Sequence, residues 1–224
     1  MNINREEYLI TPSTYKDSKE LEAIITLYQN VFGGEPWNEW WICPDCWRNF
    51  PLDFEGECPC CWSELKQYYP DDQLEQYFEE LSNNPLYKEV IARTKDEIII
   101  WLTSWWGSTL DDLNASKLCL SGPDFQKMEE KILTLYPDFD PAVKFFYLAE
   151  VAVDEKYRWK RFASELYHTL LDSVKQDESK YIIVRTTKKT DVPYKWLKKM
   201  WYQDVYDYND DQQRVILIKI LDSD

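Results

Sequence analysis

Apolar residues recur at helical spacing across 21–31 (LEAIITLYQNV), which predicts a helix, and the following GGEPWNE supplies the turn that ends it. A second helix is expected near 72–81, closed by SNNP. The period then changes. KEVIART and EIIIWLTSWW are two apolar runs separated by Lys95 and Asp96, the pattern of a β-hairpin. Residues 108–142 are polar and partly helical. FFYLAEVAVD reads as a buried strand, and the chain behind it carries Phe162, Leu166, Leu170 and Val174 at four-residue steps, an amphipathic helix. YIIVRTT is a further strand, PYKWLKKM a short helix with Pro at its start, and RVILIKIL a last strand. This strand and helix order predicts a mixed α/β sandwich without internal repeats.

Composition narrows the partners. The 224 residues are 44% hydrophobic, enough to fill one domain and a small accessory module. Lys and Arg total 26 against 41 Asp and Glu, a net charge of −15. A field of that sign repels phosphate backbones and anionic lipid, so no nucleic-acid or membrane partner is expected. It suits a cationic substrate or a basic partner, and the plain alternative is an acidic surface that is simply solvated. No apolar run reaches the roughly 20 residues that span a bilayer. MNINREEYLI lacks a basic region followed by an apolar stretch, so a cytoplasmic location is expected.

Of the six cysteines, Cys43, Cys46, Cys58, Cys60 and Cys61 fall within 19 residues, and Cys119 stands alone. Two C-x2-C pairs eleven residues apart can each aim two thiolates at one ion from a tight turn, and four thiolates favour zinc. Cys43, Cys46, Cys58 and Cys61 are the expected ligands, with an iron–sulfur cluster or free thiols as the alternatives. Four protein ligands leave no open position, so the metal is expected to be structural. Cys60 could substitute for Cys58 or Cys61, and Cys119 is expected to be a partly buried small side chain.

The second half, with YLAEVAVDEKYRWKRFASEL, IIVRTT, PYKWLKKMWYQDVYDY and RVILIKIL, resembles the GNAT acetyltransferase superfamily. Residues 145–221 carry the best match. The helix, hairpin and element order extend it over 1–224 as a single domain, with 38–68 as a zinc-ribbon-like insertion. The resemblance implies a GNAT-like mixed sheet flanked by helices, with acetyl-CoA as cosubstrate and direct acetyl transfer to an unidentified amine. It places Val151 and Val153 on the strand that pairs with pantetheine. It places Arg158, Trp159, Lys160, Arg161, Phe162, Ala163 and Ser164 on the pyrophosphate loop and the helix start behind it. Unpaired N–H groups and the positive dipole end at a helix N-terminus suit that anion.

Glu150 falls where some members keep a general base, and it fits equally a strand carboxylate with a structural hydrogen bond. The family's acidic Tyr is missing, since Leu197 aligns with it and Asp191 falls near the family's Asn. Tyr194, one turn earlier, is the substitute candidate. His168 is read as a surface or packing residue, which leaves no His-centred triad. Two rival readings follow: a non-catalytic GNAT-fold protein that binds CoA or a protein partner, and a zinc-knuckle interaction module.

Tryptophan stands where these patterns want glycine. Trp47 and Trp62 each follow the second Cys of a knuckle, where a left-handed backbone favours Gly. Trp159 replaces the first Gly of the loop, Trp201 the Gly of an L-G-F pattern, and Trp101 and Trp106 fall in the second hairpin strand, where the family often has Gly. The chain has 5 Gly and 11 Trp, whereas average usage would give about 16 Gly. A UGA codon read as glycine in the source organism accounts for all six; a Trp-rich degenerate relative is the alternative.

Overall fold

The computed structural model describes residues 8–13, 17–34, 37–46, 48–85, 87–96, 99–158, 162–174, 180–189, 192–210 and 213–221. The chain divides into two compact units, 1–103 with 150–169, and 104–149 with 170–224. Strands β6 (Ile99–Ser108) and β7 (Phe145–Val153) each contribute residues to both units.

The first unit holds strand β1 (Tyr8–Pro12), helix α1 (Ser18–Gly33), helix α2 (Asp71–Ser82) and strand β5 (Lys88–Thr94). Its strands are ordered β1-β5-β6-β7, with β1 antiparallel to β5 from Tyr8↔Thr94 to Pro12↔Val90. Asp17 caps α1, its side chain accepting the Lys19 N–H at 3.0 Å, so the helix starts before the apolar stripe does. Ile24, Tyr28 and Phe32 descend α1 in four-residue steps and meet Leu74 and Phe78 of α2, with Ile91, Ile99 and Ala152 in the same core. Between α1 and α2 lies a separate small sheet of β2 (Trp41–Ile42), β3 (Asn49–Phe50) and β4 (Lys66–Gln67), in the order β3-β2-β4. Its chain enters and leaves at one point, because the Tyr68 N–H donates to the Trp40 carbonyl at 2.9 Å.

The second unit contains helix α3 (Leu110–Leu113), a π turn (Asn114–Leu118), helix α4 (Gly122–Leu135), strand β8 (Tyr181–Thr187), helix α6 (Val192–Lys199), and strands β9 (Gln203–Asp207) and β10 (Arg214–Ile220). Helix α5 (Phe162–Val174) passes from the first unit to the second after Thr169. Strand β7 runs parallel to β8 over Phe146↔Ile182 to Leu148↔Val184, and β10 is antiparallel to both β8 and β9. Val215, Ile216, Leu217 and Ile218 are all buried, and because successive side chains point to opposite faces, both faces of this strand are covered.

The predicted helices, hairpin and three later strands are present. Two strands of the main sheet were not expected: β1, which is short and ends in Pro, and β9, in which only Val205 is buried. Cys119 departs from expectation. It is exposed, not partly buried, because it ends the π turn at φ 52° with its N–H on the Asn114 carbonyl, and this turn carries the side chain outward. Among the described residues, no helix is long and apolar enough to cross a membrane.

Candidate functional site

The small sheet carries the cysteines. Each knuckle is closed by one backbone bond from its first residue to its sixth: Cys43 N–H to the Arg48 carbonyl at 3.0 Å, and Cys58 N–H to the Ser63 carbonyl at 2.9 Å. These turns bring the Sγ atoms of Cys43, Cys46, Cys58 and Cys61 within 4.8 Å of one another, with Cys43–Cys61 at 3.3 Å and Cys46–Cys58 at 3.5 Å. Tetrahedral zinc with Zn–S near 2.3 Å needs thiolates about 3.8 Å apart, so the four sulfurs fit the ion. Burial raises the Cys43 and Cys58 thiols, but N–H donors from Cys46, and from Cys60 and Cys61, outweigh it and hold both below the ordinary value. Cys60 is exposed and outside the cluster.

A second cluster surrounds Glu150 on β7. Its Oε1 accepts from the Tyr28 hydroxyl on α1 at 3.2 Å and from the Tyr77 hydroxyl on α2 at 3.5 Å. Tyr69, at the exit of the small sheet, stands edge-on to Tyr28 at 5.1 Å, and its hydroxyl donates to Glu39 Oε2 at 2.6 Å. Burial pushes the Tyr28 phenol well up; the charge of Glu150 adds to this, followed by Tyr69, Tyr77 and Glu39. Tyr69 is pushed up by burial and then by Glu39. Glu89 of β5 is 4% exposed; its Oε2 accepts from Tyr87 at 2.5 Å, while its Oε1 is buried without a hydrogen-bond partner. Burial first, then the charge of Glu150, raises its carboxyl well above the usual range. Sequence reasoning found Glu150 and missed Tyr28, Glu39, Tyr69, Tyr77 and Glu89. The signal available was the tyrosine on each of the two predicted N-terminal helices, Tyr28 and Tyr77, where a core stripe would more simply carry an aliphatic residue.

The expected cofactor side follows on the same strand. Val151 and Val153 are half-buried, and the Val153 carbonyl accepts from Arg158 Nε at 3.3 Å. A 3-10 turn (Glu155–Tyr157), capped by the Asp154 side chain, leads to Arg158. Trp159, Lys160 and Arg161 lie outside the described residues; Phe162 and Ala163 open α5, and Ser164 follows half-buried in its first turn. His168 is exposed, as expected.

Tyr194 belongs to the second unit, whereas Glu150 belongs to the first. Its hydroxyl donates to Asp204 Oδ2 at 2.7 Å, and Lys188 Nζ lies 5.4 Å from its ring centroid. Burial, then the Asp204 bond, pushes its phenol up to about 12. Asp191 lies outside the described residues.

No family model and no curated protein matches the sequence. Solved structures do match the fold. One chain of the NatC complex bound to Gag peptide and CoA aligns over 96% of this chain and 99% of its own length, with 12% identity and a TM-score of 0.56. Arabidopsis thaliana NAA60 in complex with a bisubstrate analogue aligns over 95% and 97%, at 12% identity and a TM-score of 0.57. Mosquito arylalkylamine N-acetyltransferase like 5b aligns over 96% and 100%, at 14% identity and a TM-score of 0.58. The order of strands and helices, read with these likenesses, gives the chain the fold of the GNAT acetyltransferases.

Proposed function

We propose that this protein is an acetyl-CoA-dependent N-acetyltransferase whose acceptor is a cationic amine. The observation that carries this reading is Glu150: a strand carboxylate held by two phenols, three residues before the Val153 carbonyl that anchors Arg158. In this reading Val151 and Val153 offer backbone to the pantetheine arm. Arg158 and the first turn of α5, through Ser164, take the pyrophosphate on positive charge and N–H groups. Glu150 removes the proton from the acceptor ammonium, directly or through water, so that the free amine attacks the thioester carbonyl. The bond formed is N–C, the bond broken is C–S, and CoA leaves as the thiolate. A thiol resembling free Cys has a pKa of about 8.5, so its thiolate can leave without a proton from Tyr194. Tyr194 then serves to anchor Asp204 and Lys188.

The Glu150 carboxylate suits an ammonium, which an acceptor oxygen of opposite charge attracts. The net charge of −15 steers such a substrate in the same sense. Zinc, held by the four cysteines, would supply cross-linking and no chemistry. Calorimetry with acetyl-CoA, followed by turnover on a panel of amines, tests the proposal. Binding without turnover on any amine would favour a non-catalytic CoA-binding protein, and no binding at all would remove the loop assignment.

A further inference from the structure

We infer that the metal clasp is a positioning device for the acceptor side of the proposed active site, an inference that rests on the acetyltransferase reading for its substrate. Glu39 and Tyr69 are the last residues before and after the clasp's stem, which closes through the Tyr68 N–H and Trp40 carbonyl. Their side chains bond to each other at 2.6 Å. The body of the unit holds both ends: the Glu39 N–H donates to the Phe32 carbonyl at 2.9 Å, and Gln29 Nε2 donates to the Tyr69 carbonyl at 2.9 Å. Tyr69 then sets its edge against Tyr28, which binds Glu150. A chain of side chains therefore runs from the stem to the proposed base in three steps. What keeps the stem closed is a module with few apolar residues, chiefly Phe50, Phe54, Trp41 and Leu65 around buried Cys43 and Cys58. A core that small depends on its cross-link. Without the ion the 27 residues between Trp40 and Tyr68 become an open loop, and the Glu39–Tyr69 pair loses its registration.

The test uses the full chain, with and without zinc, and a Glu39→Gln variant that keeps all four cysteines. Zinc content, acetyl-CoA Kd, acceptor KM and hydrogen exchange around residues 39–40 and 68–69 are measured. Metal removal is expected to raise acceptor KM about tenfold or more, at unchanged acetyl-CoA Kd, while exchange at the stem rises. Glu39→Gln is expected to raise KM with zinc retained. Unchanged stem exchange in zinc-free protein would overturn the inference even if no acceptor amine is found, and so would an unchanged KM. Acetyl-CoA binding without turnover would count against the enzyme reading alone.

Independently of the clasp, Trp62 and Trp201 have φ of 62° and 68°, in the left-handed region where a Cβ crowds the following carbonyl. The two residues are 75% and 83% exposed, so packing returns little. Both backbones are dictated locally. After α6 the Tyr202 N–H reaches the Leu197 carbonyl at 3.2 Å and the Trp201 N–H reaches the Lys198 carbonyl at 3.1 Å, a Schellman motif that puts Trp201 at the glycine position. Leu197 and Tyr202 stand at the two places whose apolar residues accompany this motif, and both are buried. Trp62 closes the second knuckle, its N–H on the Cys58 carbonyl at 2.8 Å. By contrast Trp37 packs on Phe32 at 5.8 Å, and the Trp40 ring fills the space beside Gly33. The backbone thus assigns positions 62 and 201 to glycine in the native cell, through UGA codons read as glycine. Trp47, Trp101, Trp106 and Trp159 follow by sequence pattern. Restoring the six leaves 11 Gly and 5 Trp.

The gene and the native protein decide it. UGA is expected at 62 and 201 and UGG at 37 and 40, with glycine mass in native peptides covering 62 and 201. Tryptophan mass at either position, or UGG codons there, would overturn the inference. Trp62→Gly and Trp201→Gly are each expected to raise Tm by about 2–4 °C; a lowered Tm in both would refute the strain argument.

Discussion

Replacing Glu150 by Gln changes one property and preserves the others. The amide carbonyl still accepts from the Tyr28 and Tyr77 hydroxyls, so the links from β7 to α1 and α2 survive. Full loss of two bonds to a carboxylate would cost about 3–6 kcal/mol of stability, and the retained amide carbonyl avoids most of it. Basicity, however, is abolished. A positioned base contributes roughly 10²–10⁴ in rate, equivalent to about 3–5 kcal/mol of barrier. The assay is kcat at saturating acetyl-CoA and amine across pH, with Tm and acetyl-CoA Kd measured in parallel. Expected is a fall in kcat of at least about 100-fold, with Kd within about twofold and the alkaline rise in rate retained only through deprotonation of the free amine. A fall below about tenfold at unchanged Tm would refute the role and return Glu150 to a structural carboxylate.

Four further outcomes are expected. Purified protein should carry about one zinc per chain by metal analysis, and Cys58→Ser, which alters a fully buried residue, should lose it. Tyr194→Phe should lower Tm slightly, because Asp204 loses a donor, while kcat changes less than about threefold. Glu89 has a raised carboxyl in the folded chain, so its contribution to stability is fully present below the unfolded value near 4.5 and is lost as pH rises through the folded value. Glu89→Gln should therefore raise Tm more at pH 8 than at pH 5, followed by circular dichroism. Arg93→Met removes the guanidinium paired with buried Glu20 and should destabilise by about 3–5 kcal/mol in urea melts.

The cysteine cluster was legible because ligand spacing is a local property, written within each turn. Helix α1 was legible because its stripe of Ile24, Tyr28 and Phe32 obeys one period, although the Asp17 cap extends it beyond that stripe. Strand β9 was not, since an edge strand with one buried residue has no periodic signal. The cluster around Glu150 was illegible for a different reason. Tyr28, Glu39, Tyr69, Tyr77 and Glu150 meet through the folding of α1, α2 and β7, and nothing in their sequence separation announces it. Trp62 and Trp201 show the reverse case, in which a glycine-shaped backbone was visible through the motif around a residue that does not suit it.

The two knuckles repeat one hexapeptide, Cys-Pro-X-Cys-Trp-X, and each closes by the same bond from its first residue to its sixth. Aligned in register, the copies set Cys60 opposite Asp45. Cys60 therefore falls at the third place of the hexapeptide, which neither knuckle brings into the cluster. The two copies also meet beside the cluster, where the Ser63 hydroxyl of the second donates to Asp45 of the first, so the pairing of the knuckles does not rest on the cysteines alone.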